Sequence, residues 1–373
     1  MKPLAINTNA TTLPPEWAHQ YAVLLTWPHK KTDWEPILSE VEPLYMQLAK
    51  EILKRENLIV SCGDFEKVDE LERLLKAYAI HGFELFVYPA ASDDTWARDH
   101  GPITIFNNEQ QTLLDFEFNA WGGKFPYSKD NLINSELIKY AALADYSYIK
   151  SSIVLEGGSI ESNGHGVILT TSECLLTPSR NPTLDKTQLE QELKNQLGCN
   201  DILWLDHGYL SGDDTDSHID TLARFCAPDL ICYVKCDDTN DEHYEALKKM
   251  ENQLRSFKQL DGNPYRLKAL PMASAIFDEG ERLPATYANF LIINEAVLVP
   301  IYNVKEDDAA LAVLKECFPN REIIPINCCP LIKQHGSLHC ITMQIPCISI
   351  PTPSITTQPT QSSTKEVQGS SSN

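Results

Sequence analysis

The strongest constraint on this chain is a long alternation of short apolar runs with helical segments, in which the strand-like runs outnumber the helices by about two to one. Tyr21 to Trp27 reads as a buried strand closed by Pro28, followed by a helical pattern on Ile37, Val41, Leu44, Leu48 and Ile52. Thr32 and Glu35 are spaced as its capping box, and Pro43 predicts a kink or restart within it. Leu58 to Cys62 and Glu84 to Tyr88 read as strands around a helix from Glu66 to Ala79. Further strand-like runs are Ile103 to Phe106, Leu113 to Phe118, Val167 to Thr170, Ile202 to Leu205, Ile231 to Val234, Phe290 to Ile293 and Val297 to Ile301. Helices are expected at Asp185 to Leu197, stopped by Gly198, at His243 to Phe257 and at Asp307 to Phe318. A doubly wound sheet would show one helix per strand. This ratio instead predicts an α/β chain of repeated modules, each of several strands and one helix, although no repeat is visible as sequence identity. From Pro351 onward Ser, Thr, Gln and Pro dominate, which predicts a disordered tail.

Four polar segments interrupt the apolar pattern. Asp93 to Pro102 carries many charges beside Trp96 and ends on a Gly-Pro turn, as a loop lining a cleft would; a solvated turn is the bland alternative. Phe118 to Lys124 sets Trp121 before a glycine pair and reads as a tight turn. In Leu155 to Ile160, Glu156 follows Val154 and Leu155, and a carboxylate at the end of a buried strand needs a partner or a task. Gly164-His165-Gly166 reads as a hairpin turn with His165 exposed. Gly212 to Asp220 packs four aspartates and one histidine into nine residues. If its end is extended, His218 and Asp220 share a face. A divalent-metal site is the rival reading, since Asp and His are ligands for such ions, although the spacing does not fit an EF-hand: position twelve counted from Asp213 is Arg224 rather than a glutamate.

Charge limits the partners. With 31 Lys+Arg against 52 Asp+Glu, a net charge of -21, the chain is poorly suited to nucleic acid or an anionic membrane and compatible with cationic ligands. The eleven cysteines show no C-x-x-C pair and no metal-type Cys/His spacing. The polar N-terminus lacks a signal-peptide core and no apolar run reaches about 18 residues, so the expected compartment is a reducing cytoplasm. Within Gly336 to Thr342, Cys340 follows a Gly-Ser turn and lies beside His339, so it is a candidate nucleophile; a lone cysteine is otherwise a small buried apolar residue. Asp99, Glu156, His218, Asp220 and Cys340 together make one nucleophile, one base and several carboxylates. Hydrolysis of a neutral amide needs an oxyanion hole rather than a ring of acids. A planar guanidinium, with five N–H donors, fits such a ring, and a thiolate is placed to attack its central carbon.

From about Pro15-Glu16-Trp17 to Pro346 the chain resembles the agmatine deiminases, a Porphyromonas-type peptidylarginine deiminase family within the guanidine-modifying pentein superfamily. The resemblance is carried by Trp96-Ala-Arg-Asp-His-Gly-Pro102, Phe118-Asn-Ala-Trp-Gly-Gly-Lys124, Leu155-Glu-Gly-Gly-Ser-Ile-Glu161, Leu169-Thr-Thr-Ser-Glu-Cys-Leu-Leu176 and Arg180-Asn-Pro182. Asp213-Asp-Thr-Asp-Ser-His-Ile-Asp220, Leu283-Pro-Ala-Thr-Tyr-Ala-Asn-Phe290 and His339-Cys-Ile-Thr342 complete it. Two departures stand out. Gln334-His335-Gly336-Ser337 occupies the place of a common Gly-Gly-Gly-Asn, and Ser217 that of a common glycine before the histidine.

The resemblance implies a five-bladed pseudo-symmetric α/β propeller, with residues 1–347 as one catalytic domain and 348–373 as a tail. The other fold considered, a two-domain α/β hydrolase-like chain, lacks its Gly-x-Ser-x-Gly elbow. The implied reaction is hydrolysis of agmatine to N-carbamoylputrescine and ammonia, in putrescine metabolism. Cys340 is the nucleophile, His218 the proton carrier, Asp99 and Asp220 grip the guanidinium, and Glu156 holds it and orients His218. Trp96 and Trp121 wall the linker, and Asp214 or Asp213 meets the substrate ammonium. Neither a metal nor an organic cofactor is expected. A homo-oligomer is compatible with the sequence. Rival readings are a peptidylarginine or arginine-type deiminase, an amidinotransferase, and a non-enzymatic polyamine-binding module.

Overall fold

The computed structural model describes residues 11–107 and 110–348. Apart from a small hairpin of Phe277–Asp278 and Glu281–Arg282, its strands form five mixed sheets with one local order: a first strand antiparallel to a second, which is parallel to a third. In the first sheet Thr342–Pro346 is antiparallel to Gln20–Trp27, which is parallel to Asn57–Cys62, itself parallel to Leu85–Pro89. The others run Ile103–Asn107, Gln110–Glu117 and Ser147–Val154; then Ile160–Ser162, Val167–Thr171 and Asp201–Leu205. Ala223–Ala227, Leu230–Lys235 and Arg266–Pro271 form the fourth; Leu291–Ile293, Ala296–Ile301 and Glu322–Asn327 form the fifth.

Each parallel step needs a crossover, and helices supply it. Leu38–Leu53 and Val68–Lys76 serve the first sheet, Lys186–Leu197 the third, Tyr244–Ser256 the fourth and Asp307–Cys317 the fifth. This explains the excess of strands over helices, since a three-stranded module contains one hairpin and one crossover. Strand alternation decides which core each residue enters. Val23 and Leu25 join one apolar cluster, while Ala22 and Leu24 face the other. The chain's last described strand lies beside its first long one, so the first sheet is completed only when Thr342–Pro346 arrives.

The helix Lys186–Leu197 forms as its sequence dictates. Leu189, Leu193 and Leu197 are buried, Asp185 and Gln188 make a reciprocal capping box, and Gly198 stops the helix in the left-handed region. A Cβ at Gly198 would meet the Thr11 carbonyl oxygen at 1.9 Å.

Several expectations are corrected. Leu38–Leu53 runs unbroken through Pro43, which lies in its second turn. Thr32 and Glu35 make no capping box: the Thr32 hydroxyl donates to the His29 carbonyl at 2.7 Å, and Glu35–Ile37 is a 3-10 turn. The loop expected at Asp93 to Pro102 contains a buried helical turn, Ala97–His100. His218 and Asp220 do not lie on an extended segment, because Ile219–Thr221 is a 3-10 turn. The proposed tail falls outside the described residues apart from Ile348. Among the described residues no helix is long and apolar enough to cross a membrane.

Replacing Asp185 by Ala removes one half of the capping box at an exposed site. It is expected to lower unfolding free energy by about 1 kcal/mol, read as a shifted urea midpoint with unchanged slope.

Candidate active site

Three of the four polar segments, with the turns holding Asn289 and Cys340, converge because each precedes the first strand of a different sheet; Phe118 to Lys124 instead follows Gln110–Glu117. Asp99 lies just ahead of Ile103–Asn107, Glu156 ahead of Ile160–Ser162, His218 and Asp220 ahead of Ala223–Ala227, Asn289 ahead of Leu291–Ile293, and Cys340 ahead of Thr342–Pro346. Equivalent loops of five modules thus supply one site. The Arg98 backbone N–H donates to the Cys340 carbonyl at 3.0 Å, tying two of these loops together.

They enclose a cavity of about 400 Å³. Cys340, Asp99, Asp220, Trp96, Trp121, Asp213 and Asp214 line it, as do Asp33, Asp94 and His335, which the sequence reading did not single out. Six of the lining residues are aspartates, and none of the lining residues is lysine or arginine.

Cys340 Sγ lies 3.4 Å from Asn289 Oδ1 and 3.9 Å from Asp220 Oδ2. Burial, followed by the charges of Asp220 and Asp99, pushes the thiol well above its ordinary range. Asn289 is a bracket for this turn: its Oδ1 accepts from the His339 backbone N–H at 2.9 Å, and its Nδ2 donates to Asp220 Oδ2 at 3.2 Å.

Asp220 is kept ionised from behind. Burial alone would raise its pKa, but the hydrogen bond and charge of His339 outweigh that and lower it. His339 Nδ1 is 2.7 Å from Asp220 Oδ2, and its Nε2 is 2.7 Å from Glu16 Oε1. Glu16 in turn pairs with Arg98 at 3.2 Å and Arg224 at 2.5 Å, while Arg224 also pairs with Glu161. His339, adjacent to the nucleophile, is therefore turned away from it into a buried ionic network. Asp220 Oδ1 is buried with no hydrogen-bond partner.

Asp99 accepts from the Gly158 backbone N–H and from Trp121 Nε1, both at 2.9 Å. Burial lifts its pKa to about 6, against the opposing charge of His218. His218 Nδ1 is 3.7 Å from Asp99 Oδ1, and its Nε2 is 4.0 Å from Glu156 Oε2. Burial alone would lower the His218 pKa; the Asp99 charge, then the Cys174 thiol and Glu156, raise it well above normal. Gly158 makes this approach feasible, since a Cβ there would lie 2.8 Å from both Asp99 Oδ1 and His218 Nδ1.

Glu156 has the partner its position demanded: Arg180 Nε donates to Oε1 at 3.0 Å. Arg180 also pairs with Asp216 and donates to the Thr215 carbonyl at 2.9 Å, anchoring the loop before His218. In that loop Asp216 and Ser217 adopt φ of 66° and 62°, and His335 across the cavity has φ 63°. Both departures from the family pattern thus fall where glycine would be easiest. Neither Glu156 nor His218 is among the residues that line the cavity; both are buried beside Asp99, at the edge of it. Asp213 is committed to its own loop, since its Oδ1 accepts from Thr215 and its Oδ2 from the Ser217 backbone N–H. Asp214 has no such commitment, and burial followed by the Asp213 charge raises its pKa.

The structure brings together Cys340, Asp99, Asp220, His218 and Glu156, with Trp96, Trp121, Asp213 and Asp214 around the cavity. Sequence reasoning assigned no role to Asn289, Arg180, Gly158, His339 or Glu16, although all five lie inside the quoted motifs. A charged or amide residue inside an apolar run, such as Asn289 between Ala288 and Phe290, was the available signal.

Comparison with known proteins places this geometry. The model of the Porphyromonas-type peptidyl-arginine deiminases matches residues 12–346. A Legionella pneumophila protein named provisionally as an agmatine deiminase is 35% identical over 340 residues, covering 90% of this chain and 94% of its own. The structure of a C. jejuni agmatine deiminase with substrate bound superposes with a TM-score of 0.84 at 37% identity, covering 92% of this chain and 98% of that one. A Porphyromonas gingivalis structure named provisionally as an arginine deiminase gives a TM-score of 0.83 at 47% identity, over 90% and 98% of the two chains. The mixed α/β fold is that of the pentein-type deiminases.

Gly158→Ala is expected to reduce turnover at least ~100-fold, because Asp99 and His218 must both move, while the circular dichroism spectrum stays unchanged. Turnover within a few-fold of wild type would show that their spacing is not critical.

Proposed function

That this chain belongs to the Porphyromonas-type peptidyl-arginine deiminase family, enzymes that hydrolyse the C–N bonds of amidines, is the premise from which we propose that it converts agmatine and water to N-carbamoylputrescine and ammonia. The observation carrying this reading is the cavity itself: six aspartates and no lysine or arginine surround a buried thiol. A substrate that is a cation at both ends fits such a wall, whereas an α-carboxylate would be desolvated among acids without a partner. Arg98 offers no clamp, because it is buried and engaged with Glu16 and Gln344.

The guanidinium enters between Asp99 and Asp220, where Asp220 Oδ1 has lone pairs to spare. Their grip holds the central carbon against Cys340 Sγ. The cation's charge offsets the two carboxylates that keep the thiol protonated, so Cys340 ionises when substrate is present. Attack by the thiolate forms the S–C bond. His218, its proton stabilised by Asp99, protonates the departing nitrogen, and ammonia leaves an amidino group on Cys340. Neutral His218 then takes a proton from water, whose oxygen attacks the same carbon; collapse breaks the S–C bond and restores the thiolate. Glu156, fixed by Arg180, orients His218 from behind. Trp96 and Trp121 flank the aliphatic linker, and Asp214 meets the ammonium.

The product's free amine and carbamoyl group suit a role in supplying putrescine, and a cytoplasmic location fits buried thiols such as those of Cys62, Cys174, Cys226 and Cys232, which form no disulfide. We further read the five like-ordered sheets as blades of one propeller around the cavity. Return of Thr342–Pro346 to the first sheet and the bond between Gln344 and Glu16 support treating residues 1–347 as one catalytic domain. An arginine-type deiminase is the second reading, favoured by the P. gingivalis relative.

The kcat/KM for agmatine is expected to exceed that for arginine by at least ~100-fold, about 3 kcal/mol of discrimination. Asp214→Asn should raise the agmatine KM and narrow that gap; equal efficiency of the wild-type protein on both substrates would favour the arginine reading. Cys340→Ala should abolish ammonia release while still binding agmatine, and mass spectrometry of quenched wild-type turnover should find an amidino adduct on the Cys340 peptide.

A further inference from the structure

We infer that Cys174, His218 and Glu156 form a binding site for zinc, and that zinc held there arrests the enzyme by occupying His218. The metal site stands on geometry alone; the arrest rests on the role proposed for His218. One ligand atom from each of the three side chains lies within 4.8 Å of the other two, and all three residues are buried. Two of these atoms, His218 Nε2 and Glu156 Oε2, have no hydrogen-bond partner outside the cluster, where the Cys174 thiol lies against His218, although their residues are 1% and 0% exposed. Buried acceptors and donors are almost always satisfied, so two orphans facing one thiol mark a place that can accept a further group.

The donor set suits a borderline-soft ion. Thiolate, imidazole and carboxylate bind zinc at about 2.0–2.3 Å, which sets neighbouring ligand atoms roughly 3.5 Å apart. The 4.0 Å between His218 Nε2 and Glu156 Oε2 needs only a small contraction to reach that. The supports are already in place. Arg180 holds Glu156 through Oε1 and leaves Oε2 free. Asp99 faces the other ring nitrogen of His218, as carboxylates do behind metal-bound imidazoles. The Thr171 hydroxyl caps the helical turn Ser172–Leu175 through the Cys174 backbone N–H.

A second cluster shows the contrast. Glu16, Glu161 and His339 are equally close together, but their ligand atoms already contact Arg98, Arg224, Gln344, the Phe225 backbone N–H or one another. That cluster is filled by arginine, whereas in the first Glu156 Oε2 and His218 Nε2 are not engaged by any arginine.

Binding balances charge. Zinc displaces one proton from the imidazolium of His218 and one from the Cys174 thiol, and both go to solvent. Thiolate, carboxylate and a divalent ion then sum to zero, with water as the fourth ligand. With Nε2 on zinc the ring keeps its Nδ1 proton and can no longer cycle between imidazolium and neutral imidazole, so His218 neither gives up a proton to a leaving nitrogen nor takes one from water. Cys340 takes no part, which separates this site from one built on the nucleophile.

The test uses cobalt(II) as a spectroscopic stand-in on the full-length protein. Wild type and Cys340→Ala should bind one equivalent with a thiolate-to-cobalt charge-transfer band that zinc abolishes. Cys174→Ser and Cys174→Ala should lack the band, and Cys174→Ser should need at least ~10-fold more zinc for half-inhibition. A zinc-soaked crystal of Cys340→Ala decides the matter even if the Cys174 variants do not fold: its anomalous peak should lie among Cys174 Sγ, His218 Nε2 and Glu156 Oε2. A band that survives in the Cys174 variants, disappears in Cys340→Ala, or never forms would overturn the inference, as would an anomalous peak elsewhere. The cobalt arm needs no agmatine turnover, so it reads the site even if the substrate proposal fails.

Discussion

The site depends on keeping carboxylates charged beside a buried thiol. Left unpaired, each buried charge would cost several kcal/mol and would protonate instead. Asp220 avoids this through His339, which leans on Glu16, which is held by Arg98 and Arg224. These partners come from both ends of the described chain and from its middle. Burial, and then the charges of Asp220 and Asp99, hold Cys340 protonated, so the resting nucleophile is quiet. The charge required to wake it is missing from the protein and is brought by a guanidinium. Electrostatics thereby ties reactivity to recognition.

The fold serves this arrangement by repetition. Each module presents the approach to its first strand at the same mouth, and that approach is a turn rather than a strand, free to carry polar groups. Gly158 lets Asp99 and His218 close on one another, and the Asp216–Ser217 pair turns His218 inward at the cost of left-handed backbone, about 1 kcal/mol or more per residue. Arg180 bonds this loop and Glu156 together and offsets that strain.

Much of this was legible in the sequence, for identifiable reasons. Strands with apolar runs, such as Gln20–Trp27 and Ala296–Ile301, were found because both faces are buried. Ser147–Val154, Arg266–Pro271 and Glu322–Asn327 were missed because they are polar or only half-buried, so their pairing rests on neighbours rather than on pattern. Thr342–Pro346 was missed because a five-residue strand ending in proline looks like the start of a tail. Pro43 misled because a proline near a helix start removes few hydrogen bonds. Cys340, Asp99, His218 and Asp220 stood out as chemistry within apolar context. The division of labour between Asp213 and Asp214 was not legible, since it turns on which carboxylate its own backbone captures. Nor was the turning of His339 from the thiol, which needs Glu16 from the far end of the chain.

The central claim is that a cation in the cavity, rather than the free protein, ionises Cys340. The direct measurement is alkylation of Cys340 at neutral pH by two haloacetyl-type reagents of similar size, a neutral iodoacetamide and a cationic haloacetamidine, followed by peptide mass spectrometry. One positive charge about 4 Å from a group in surroundings of effective dielectric about 20 is worth about 4 kcal/mol. The amidine should therefore modify Cys340 at least ~100-fold faster than the amide, after correction for each reagent's rate with a free thiol, and Asp220→Asn should narrow the gap. Equal corrected rates for the two reagents would mean that the thiol is ionised by the protein itself and would contradict this account.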